Sequence, residues 1–426
     1  MNTKKINANR NPWLWVPSIY IAEGVPYMIA MTVSVVLYKN LGLSNTQIAL
    51  YTSWLYLPWV IKPLWSPFVD LFRTKRFWIV LMQMAIGASF ACVALTLPAD
   101  DFVRYTLAML WIMAFSSATH DIAADGFYML GLTTPEQAVF VGVRTIFYRV
   151  ATIASKGGLV ILAGFLQKSG YAVTSAWAIT FFAAAVVFLA LCLYNFFVLP
   201  YPEADHSAPL EEGKSLVAEY FRILTLFFRR KDIVIIICFF LFYRFAEAQL
   251  VKMVAPFLLD ARVKGGLGLT TAEVGVIYGT VGVVALMLGG LLGGYVIYKK
   301  GLKFWLWPMV IIMHVPDLIF VYLSHELPSS LWLIGSAVAL EQFGYGFGFT
   351  AYTMYMIMVS QGEYKTVFYA IGTGIMALGM MLPAMSSGWI QEMLGYKNFY
   401  IWILITTIPG FIVAALVKID PEYGKK

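Results

Sequence analysis

The chain is 426 residues long, 60% hydrophobic and only 12% charged, with a mean hydropathy of +0.76. That leaves too little polar surface to clothe a soluble globule of this length, so the chain belongs in a lipid bilayer. Its net charge of +7 needs no nucleic acid as partner, because attraction to an anionic inner leaflet accounts for it.

With ~20 apolar residues needed for one crossing, twelve transmembrane helices are predicted, at 13–38, 47–69, 77–97, 104–130, 136–166, 172–199, 233–258, 271–298, 303–323, 329–358, 365–391 and 398–418. Lys4, Lys5 and Arg10 precede the first run, which is long, contains Glu23 and Pro26 and offers no small-residue cleavage site, so this helix is expected to be retained. Placing the N-terminus in the cytoplasm puts eighteen lysines and arginines on the inner side, among them Arg73, Arg76, Arg229, Arg230 and Lys299. Only six, Lys39, Arg104, Lys168, Arg262, Lys264 and Lys397, then lie outside. This bias predicts that both termini are cytoplasmic. Cys92, Cys192 and Cys238 fall within helices and read as apolar filler, not as a disulfide framework.

The first and seventh helices carry a repeat. Ala22-Glu23 matches Ala246-Glu247, and each is followed at nearly equal distance by a similar turn, Leu41-Gly-Leu-Ser-Asn-Thr-Gln47 and Leu267-Gly-Leu-Thr-Thr-Ala-Glu273. Ser44 with Gln47, and Thr270 with Glu273, have the spacing of capping boxes for the next helix. Gly170-Tyr171 and Gly395-Tyr396 end the corresponding fifth and eleventh segments. The organisation expected is therefore a six-helix bundle over 1–199, a cytoplasmic connector over 200–232 and a second six-helix bundle over 233–426. Two halves joined in this way resemble the plan of the major facilitator transporters.

Several local stretches narrow the resemblance. Lys62-Pro-Leu-Trp-Ser-Pro-Phe-Val-Asp70, Phe115-Ser-Ser-Ala-Thr-His-Asp-Ile-Ala-Ala-Asp125, Tyr148-Arg149 with Gly157-Gly158, and Glu341 ahead of Gly344 and Gly346 are together similar to the AmpG muropeptide permease branch of that superfamily. His120 and Tyr128 depart from the branch pattern, which tends to have Gln before the first Asp and a basic residue after the second. Asp121 to Gly126 also resembles a branch that moves acetyl-coenzyme A. The resemblance implies that helices one, four, seven and ten line the central cavity. It further implies that Asp70, Arg73 and Arg76 form a cytoplasmic latch that opens during alternating access.

An ionised side chain in hydrocarbon costs at least ~2.5 to 3.5 kcal/mol and so faces protein or water. The acids inside the helices are Glu23, Asp121, Asp125, Glu247, Asp317 and Glu341, and five of these six lie on the four implied cavity helices. Asp121 and Asp125, four apart on one face, are candidates to load and release a proton, with Glu23, Glu247, Glu341 and His120 as further proton-coupling or gating residues. The competing reading is that the two aspartates pair with Arg149 or Arg144 and lock the bundle. Arg149 and Lys156, seven apart and nearly aligned, could bridge an anion. Arg144, Arg244 and Lys252 complete the anion-binding set, although Arg244 can also pair with Glu247 three residues on. Tyr20, Tyr27, Tyr345 and Tyr352 are candidates to stack on sugar rings. His314 and Asp317 flank Pro316 and suggest a kink with local pairing. Gly289-Gly290 and Gly293-Gly294 suit close helix approach.

The four histidines and three cysteines show no zinc spacing, and no nucleotide loop or nucleophile elbow is present, so neither an enzyme nor a metal or other cofactor is expected. The reading that results is an all-α membrane protein of major facilitator fold in a bacterial inner membrane, acting as a monomer. Its expected function is proton-coupled import of an anionic sugar-containing fragment such as an anhydromuropeptide. A same-fold permease for an acidic oligosaccharide or a coenzyme A derivative is the nearest alternative. A non-transporting membrane sensor is the other.

Overall fold

The structure, a computed structural model, describes residues 10–132, 134–203, 205, 216–361 and 365–424. Lys4 and Lys5, used above for orientation, lie outside them, as do residues 206–215 of the connector and the last two lysines. The fold is all-α, with no strand among the described residues.

Helix α1 runs through Pro12–Met28, a π turn at Ile29–Val33 and Ser34–Asn40. Helix α2 is not the continuous rod expected over 47–69 but a series of pieces, Asn45–Trp54, Leu57–Ile61, a 3-10 turn at Lys62–Leu64, and Ser66–Leu71. Pro58, Pro63 and Pro67 explain the breaks, since each removes a backbone donor and crowds the preceding turn. Helices α3 (Lys75–Thr96), α4 (Phe102–Gly131) and α6 (Val173–Val198) are uninterrupted, whereas α5 passes from Thr134–Thr152 through a π turn at Ile153–Leu159 into Val160–Lys168. After the connector helix Leu216–Phe228, α7 breaks between Ile233–Phe242 and Phe245–Leu259. Helix α8 comprises Thr271–Val274, a π turn at Gly275–Val281, and Gly282–Lys300. Helix α9 is Leu302–His314, a 3-10 turn at Val315–Asp317, and Leu318–Glu326, and α10 is Leu331–Val359. In Lys365–Thr406, Gly395 at φ +71° divides α11 from α12, which ends in Ile408–Leu416.

Among the described residues nine helical segments are long and apolar enough to cross a membrane. One of them, Val367–Leu416, contains both α11 and α12, and the broken α2 and the Gly- and Tyr-rich α10 complete the twelve.

Both predicted capping boxes form. Gln47 N–H donates to Ser44 Oγ at 3.2 Å and Ser44 N–H to Gln47 Oε1 at 3.1 Å. In the matching turn Glu273 N–H donates to Thr270 Oγ1 at 3.3 Å and Thr270 N–H to Glu273 Oε2 at 2.8 Å. The repeat thus reaches the level of individual hydrogen bonds, each satisfying an amide that has no intrahelical acceptor.

The chain divides into two compact units, one containing residues up to Val33 with Ile61–Ala218, the other Ser34–Val60 with Glu219–Lys426. In the first unit α1 packs on α4 and α5, and α3 on α4 and α6. Gly24 lets α1 meet α5, where a Cβ would stand 2.8 Å from Ala151 Cβ. In the second unit α10 packs on α8 and α9, and α11 on α7 and on Asn45–Trp54.

Close approach in the second unit is bought with missing side chains, as expected where lipid supplies no hydrophobic drive between helices. A Cβ on Gly346 would stand 2.0 Å from Leu286 O, and one on Gly289 2.1 Å from Phe343 O, so α8 and α10 touch backbone to backbone. Gly294, by contrast, has open space. Gly346→Ala should therefore lower the thermal midpoint of detergent-solubilised protein, by an overpacking cost of ~1–3 kcal/mol, whereas Gly294→Ala should leave it unchanged. Equal midpoints in a thermal-shift assay would contradict this packing.

Candidate functional site

In the first unit the acids of α1 and α4 meet cations from α2 and α5. Asp121 is paired through Oδ2 with Lys62 Nζ, which projects from the proline-broken part of α2. Asp125, one helical turn on, accepts from Tyr20 O–H at 3.3 Å and lies 3.3 Å from Arg144 Nη1. The Arg144 guanidinium lies over the rings of Tyr20 and Tyr128, 4.7 and 5.3 Å from their centroids, which holds the fork in place without neutralising it. Glu23 stands beside Asp121, and its Oε2 is buried without a hydrogen-bond partner. The Asp121 side chain is 13% exposed and that of Asp125 44%, so Asp125 with Arg144 is the accessible end of the cluster.

The locking reading of the aspartate pair has a structural counterpart in the Asp125–Arg144 ion pair, and Asp125 is the more exposed of the two aspartates. The partner of Asp125 is Arg144 and not Arg149. Lys62 as the partner of Asp121 was not foreseen, because the two are 59 positions apart.

His120 is not part of this cluster. It faces α3 and α6, where its Nε2 lies 3.0 Å from Gln83, Asn195 donates to Gln83 at 3.1 Å, and Ser18 donates to Asn195 at 2.6 Å. Arg149 has Tyr27 and Tyr148 as charge neighbours and no carboxylate partner among the described residues. Lys156 is buried inside the π turn Ile153–Leu159, whose wider winding takes it off the alignment with Arg149 that an unbroken helix would give.

In the second unit Arg244 does not pair with Glu247. Arg244 lies at the break in α7, outside the following helix (φ −112°, ψ 20°), so spacing of three along a helix does not apply to it. Its guanidinium donates to the Tyr345 hydroxyl and lies 4.5 Å from the Phe349 ring centroid and 5.9 Å from that of Tyr352. Tyr352 is fully buried and donates to Phe240 O at 3.0 Å, a structural use of its hydroxyl. Lys252 donates to Thr52 Oγ1 at 3.0 Å, with its ammonium 5.5 Å from the Tyr56 ring and no carboxylate partner among the described residues. Glu247 and Glu341 face each other, fully buried, and Gln342 Nε2 donates to both oxygens of Glu341 at 3.2 and 3.0 Å.

The side chain of Asp70 lies outside the described residues. Of its expected latch partners, Arg73 is exposed at a positive φ of 67° and stacks on Phe77, and Arg76 stacks on Tyr201, 4.0 Å from the ring centroid. The amides of Lys75 and Arg76 donate to Asp205 of the connector at 2.7 and 3.0 Å, so an acid sits on the N-terminus of α3.

One polar network in the second unit was missed by sequence reasoning. Lys39 Nζ lies 2.7 Å from Asp260 Oδ2, which also accepts from Tyr396 O–H at 2.7 Å. Asn45 Nδ2 donates to Tyr396 at 2.9 Å and to Gln391 at 2.5 Å, and Thr46 Oγ1 donates to Glu392 at 2.5 Å. Gly388 allows it, since a Cβ there would meet Asn45 O at 2.0 Å. The only signal in the sequence was a concentration of polar residues at the ends of five different helices.

Comparisons with known proteins agree on the class. The sequence profile of the Major Facilitator Superfamily matches residues 19–384. A Rickettsia conorii protein named as transporter AmpG 4 is 23% identical over 403 residues, covering 92% of this chain and 93% of its own. The anhydromuropeptide permease of Escherichia coli K12 is 24% identical over 372 residues, covering 86% of this chain and 72% of its own. Among solved structures, a variant of the nucleoside transporter NupG superposes with a TM-score of 0.72 at 14% identity, covering 96% of this chain and all of that one. A D-xylose–proton symporter gives 0.69 at 13% identity, covering 96% and 98%. At such identities the structural likeness concerns the fold alone.

The Lys62–Asp121 pair is mostly withdrawn from solvent. Removing the cation alone should strand a carboxylate, so Lys62→Met should destabilise by about 3 kcal/mol, and adding Asp121→Asn should recover most of the loss. Thermal unfolding of the two single variants and the double variant measures this directly. Additive losses would show that the pair is not coupled.

Proposed function

Because the chain belongs to the Major Facilitator Superfamily, we propose that it imports anionic sugar-containing fragments of the anhydromuropeptide kind into the cytoplasm, driven by protons. It is a multi-pass membrane transporter and not an enzyme, which sets aside the sensor reading. In this proposal the protein is a monomer in a bacterial inner membrane with both termini cytoplasmic.

The observation that carries the coupling is the Asp125–Arg144 pair, partly exposed and flanked by Tyr20, Glu23 and the Asp121–Lys62 pair. A substrate anion competes with Asp125 for the Arg144 fork. Once released, Asp125 sits beside Asp121 with less compensating charge, which favours its protonation. Proton and anion binding then support each other, and loss of the proton to the cytoplasm restores the ion pair and expels the anion. Arg149, Arg244 and Lys252, cations without a carboxylate partner among the described residues, are the remaining anion contacts. Tyr27 and Tyr345 lie beside two of them. The name of the Escherichia coli relative, anhydromuropeptide permease, supports a muropeptide-like substrate. Tyr128 under Arg144, where the AmpG branch tends to have a basic residue, keeps another anion such as an acidic oligosaccharide or a coenzyme A derivative as the second reading.

The test is uptake of labelled anhydromuropeptide and labelled acidic disaccharide into proteoliposomes, with and without an inward proton gradient. Wild type should accumulate one of them, and Asp125→Asn should lose gradient-driven accumulation while retaining exchange of preloaded substrate. Arg149→Gln should raise the half-saturating concentration about tenfold, the loss of one charge-assisted hydrogen bond of ~1.5 kcal/mol. Uptake of neither ligand would reject the saccharide assignment, and gradient-independent uptake by wild type would reject proton coupling.

A further inference from the structure

The second unit solves its charge problem without the cations that serve the first. Glu247 on α7, Glu341 on α10 and Asp317 on α9 are at most 1% exposed, and His314 is 3% exposed. Asp317 belongs to this group because α9 bends there. Pro316 lies in the 3-10 turn Val315–Asp317, and Gly344 of α10 receives it, a Cβ at that glycine standing 3.1 Å from Pro316 Cγ and 2.3 Å from Ile312 O. Glu247 thus faces Glu341 on one side and Asp317 on the other, and His314 Nδ1 lies 3.6 Å from Asp317 Oδ2.

Arg244 acts on Glu247 through its charge but forms no ion pair with it, its guanidinium engaging Tyr345 and Phe349, and Lys252 donates to Thr52. Tyr278 of α8 and Tyr400 of α12 bring phenols, and the Tyr400 hydroxyl has no hydrogen-bond partner. Gln342 donates to Glu341, and Gln249 is occupied in accepting from Trp402 at 2.9 Å. Among the described residues no lysine or arginine forms an ion pair with Glu247 or Asp317. Both oxygens of each, and both nitrogens of His314, lack a hydrogen-bond partner. Ionised together, Glu247, Glu341 and Asp317 would set like charges side by side in a dry interior, a cost of several kcal/mol that the Arg244 charge, not ion-paired with Glu247, offsets only in part. The cheapest ligand that removes this cost is the proton.

We propose that Glu341, Glu247, Asp317 and His314 form a proton store, with one proton shared between the two glutamates and a second held between Asp317 and His314. When the glutamate pair gives up its proton, the protonated His314 passes its Nδ1 proton to Asp317 and Asp317 passes one to Glu247. This leaves a neutral imidazole, an ionised Asp317 and a refilled pair. The store rests on the transporter reading only for what its protons drive; its existence is a property of the resting protein.

The test is infrared spectroscopy of the purified protein in lipid nanodiscs, titrated through neutral pH in H2O and D2O. Wild type should show a deuterium-sensitive carbonyl band of protonated carboxyl at neutral pH. Glu247→Gln and Glu341→Gln should each remove most of it, and Asp317→Asn or His314→Phe should shift its titration. Asp121→Asn, in the other unit, should leave the part lost in the Glu247 variant. Should a glutamine variant not elute as a monodisperse protein, the His314→Phe titration decides alone. Absence of the band in wild type, or a band unaltered in folded Glu247→Gln and Glu341→Gln or in His314→Phe, would overturn the store. Because no substrate is used, loss of uptake with these spectra intact would count against the transport reading alone.

Discussion

The cost of holding charge away from water governs this molecule more than any other term. A lipid-embedded chain can keep an ionised group only by pairing it, hydrating it or neutralising it. Each choice leaves a different local structure. In the first unit the answer is pairing, Asp121 with Lys62 and Asp125 with Arg144. The proline-broken part of α2 carries Lys62 to Asp121, and Arg144 lies over two tyrosine rings beside Asp125. In the second unit Arg244 donates to Tyr345 and Lys252 to Thr52, and Glu247 and Asp317 lie buried with no lysine or arginine ion-paired to them among the described residues.

That contrast stands on a shared frame. Glu23 and Glu247 each follow an alanine, the turns after α1 and α7 close the same capping box, and Gly170 and Gly395 both take a positive φ, +93° and +71°. A duplicated scaffold has kept its local hydrogen bonds and diverged in where it places cations.

Much of this was legible in the sequence, for identifiable reasons. Helix positions follow from apolar length, and the caps and repeat from local spacing. The concentration of acids on four helices was visible once those helices were counted. What was not legible was the choice of partner. Arg244 and Glu247 look like an intrahelical pair until the break at Arg244 removes the helix between them. Lys156 leaves the line of Arg149 because a π turn intervenes. His120 sits next to Asp121 in sequence yet points to Gln83, since adjacent residues on a helix diverge by about 100°. The network of Lys39, Asn45, Asp260, Gln391 and Tyr396 joins residues up to 351 positions apart, for which spacing carries no signal.

The chain passes from one compact unit to the other at two places within its first two helices, after Val33 and after Val60. The first lies at the end of the π turn Ile29–Val33, and the second within the short piece Leu57–Ile61, next to the 3-10 turn Lys62–Leu64. At both crossings the regular ladder of helical hydrogen bonds is already interrupted, so bending there sacrifices few of the bonds that stiffen an α-helix. Mechanical compliance is thereby concentrated in two short segments of backbone.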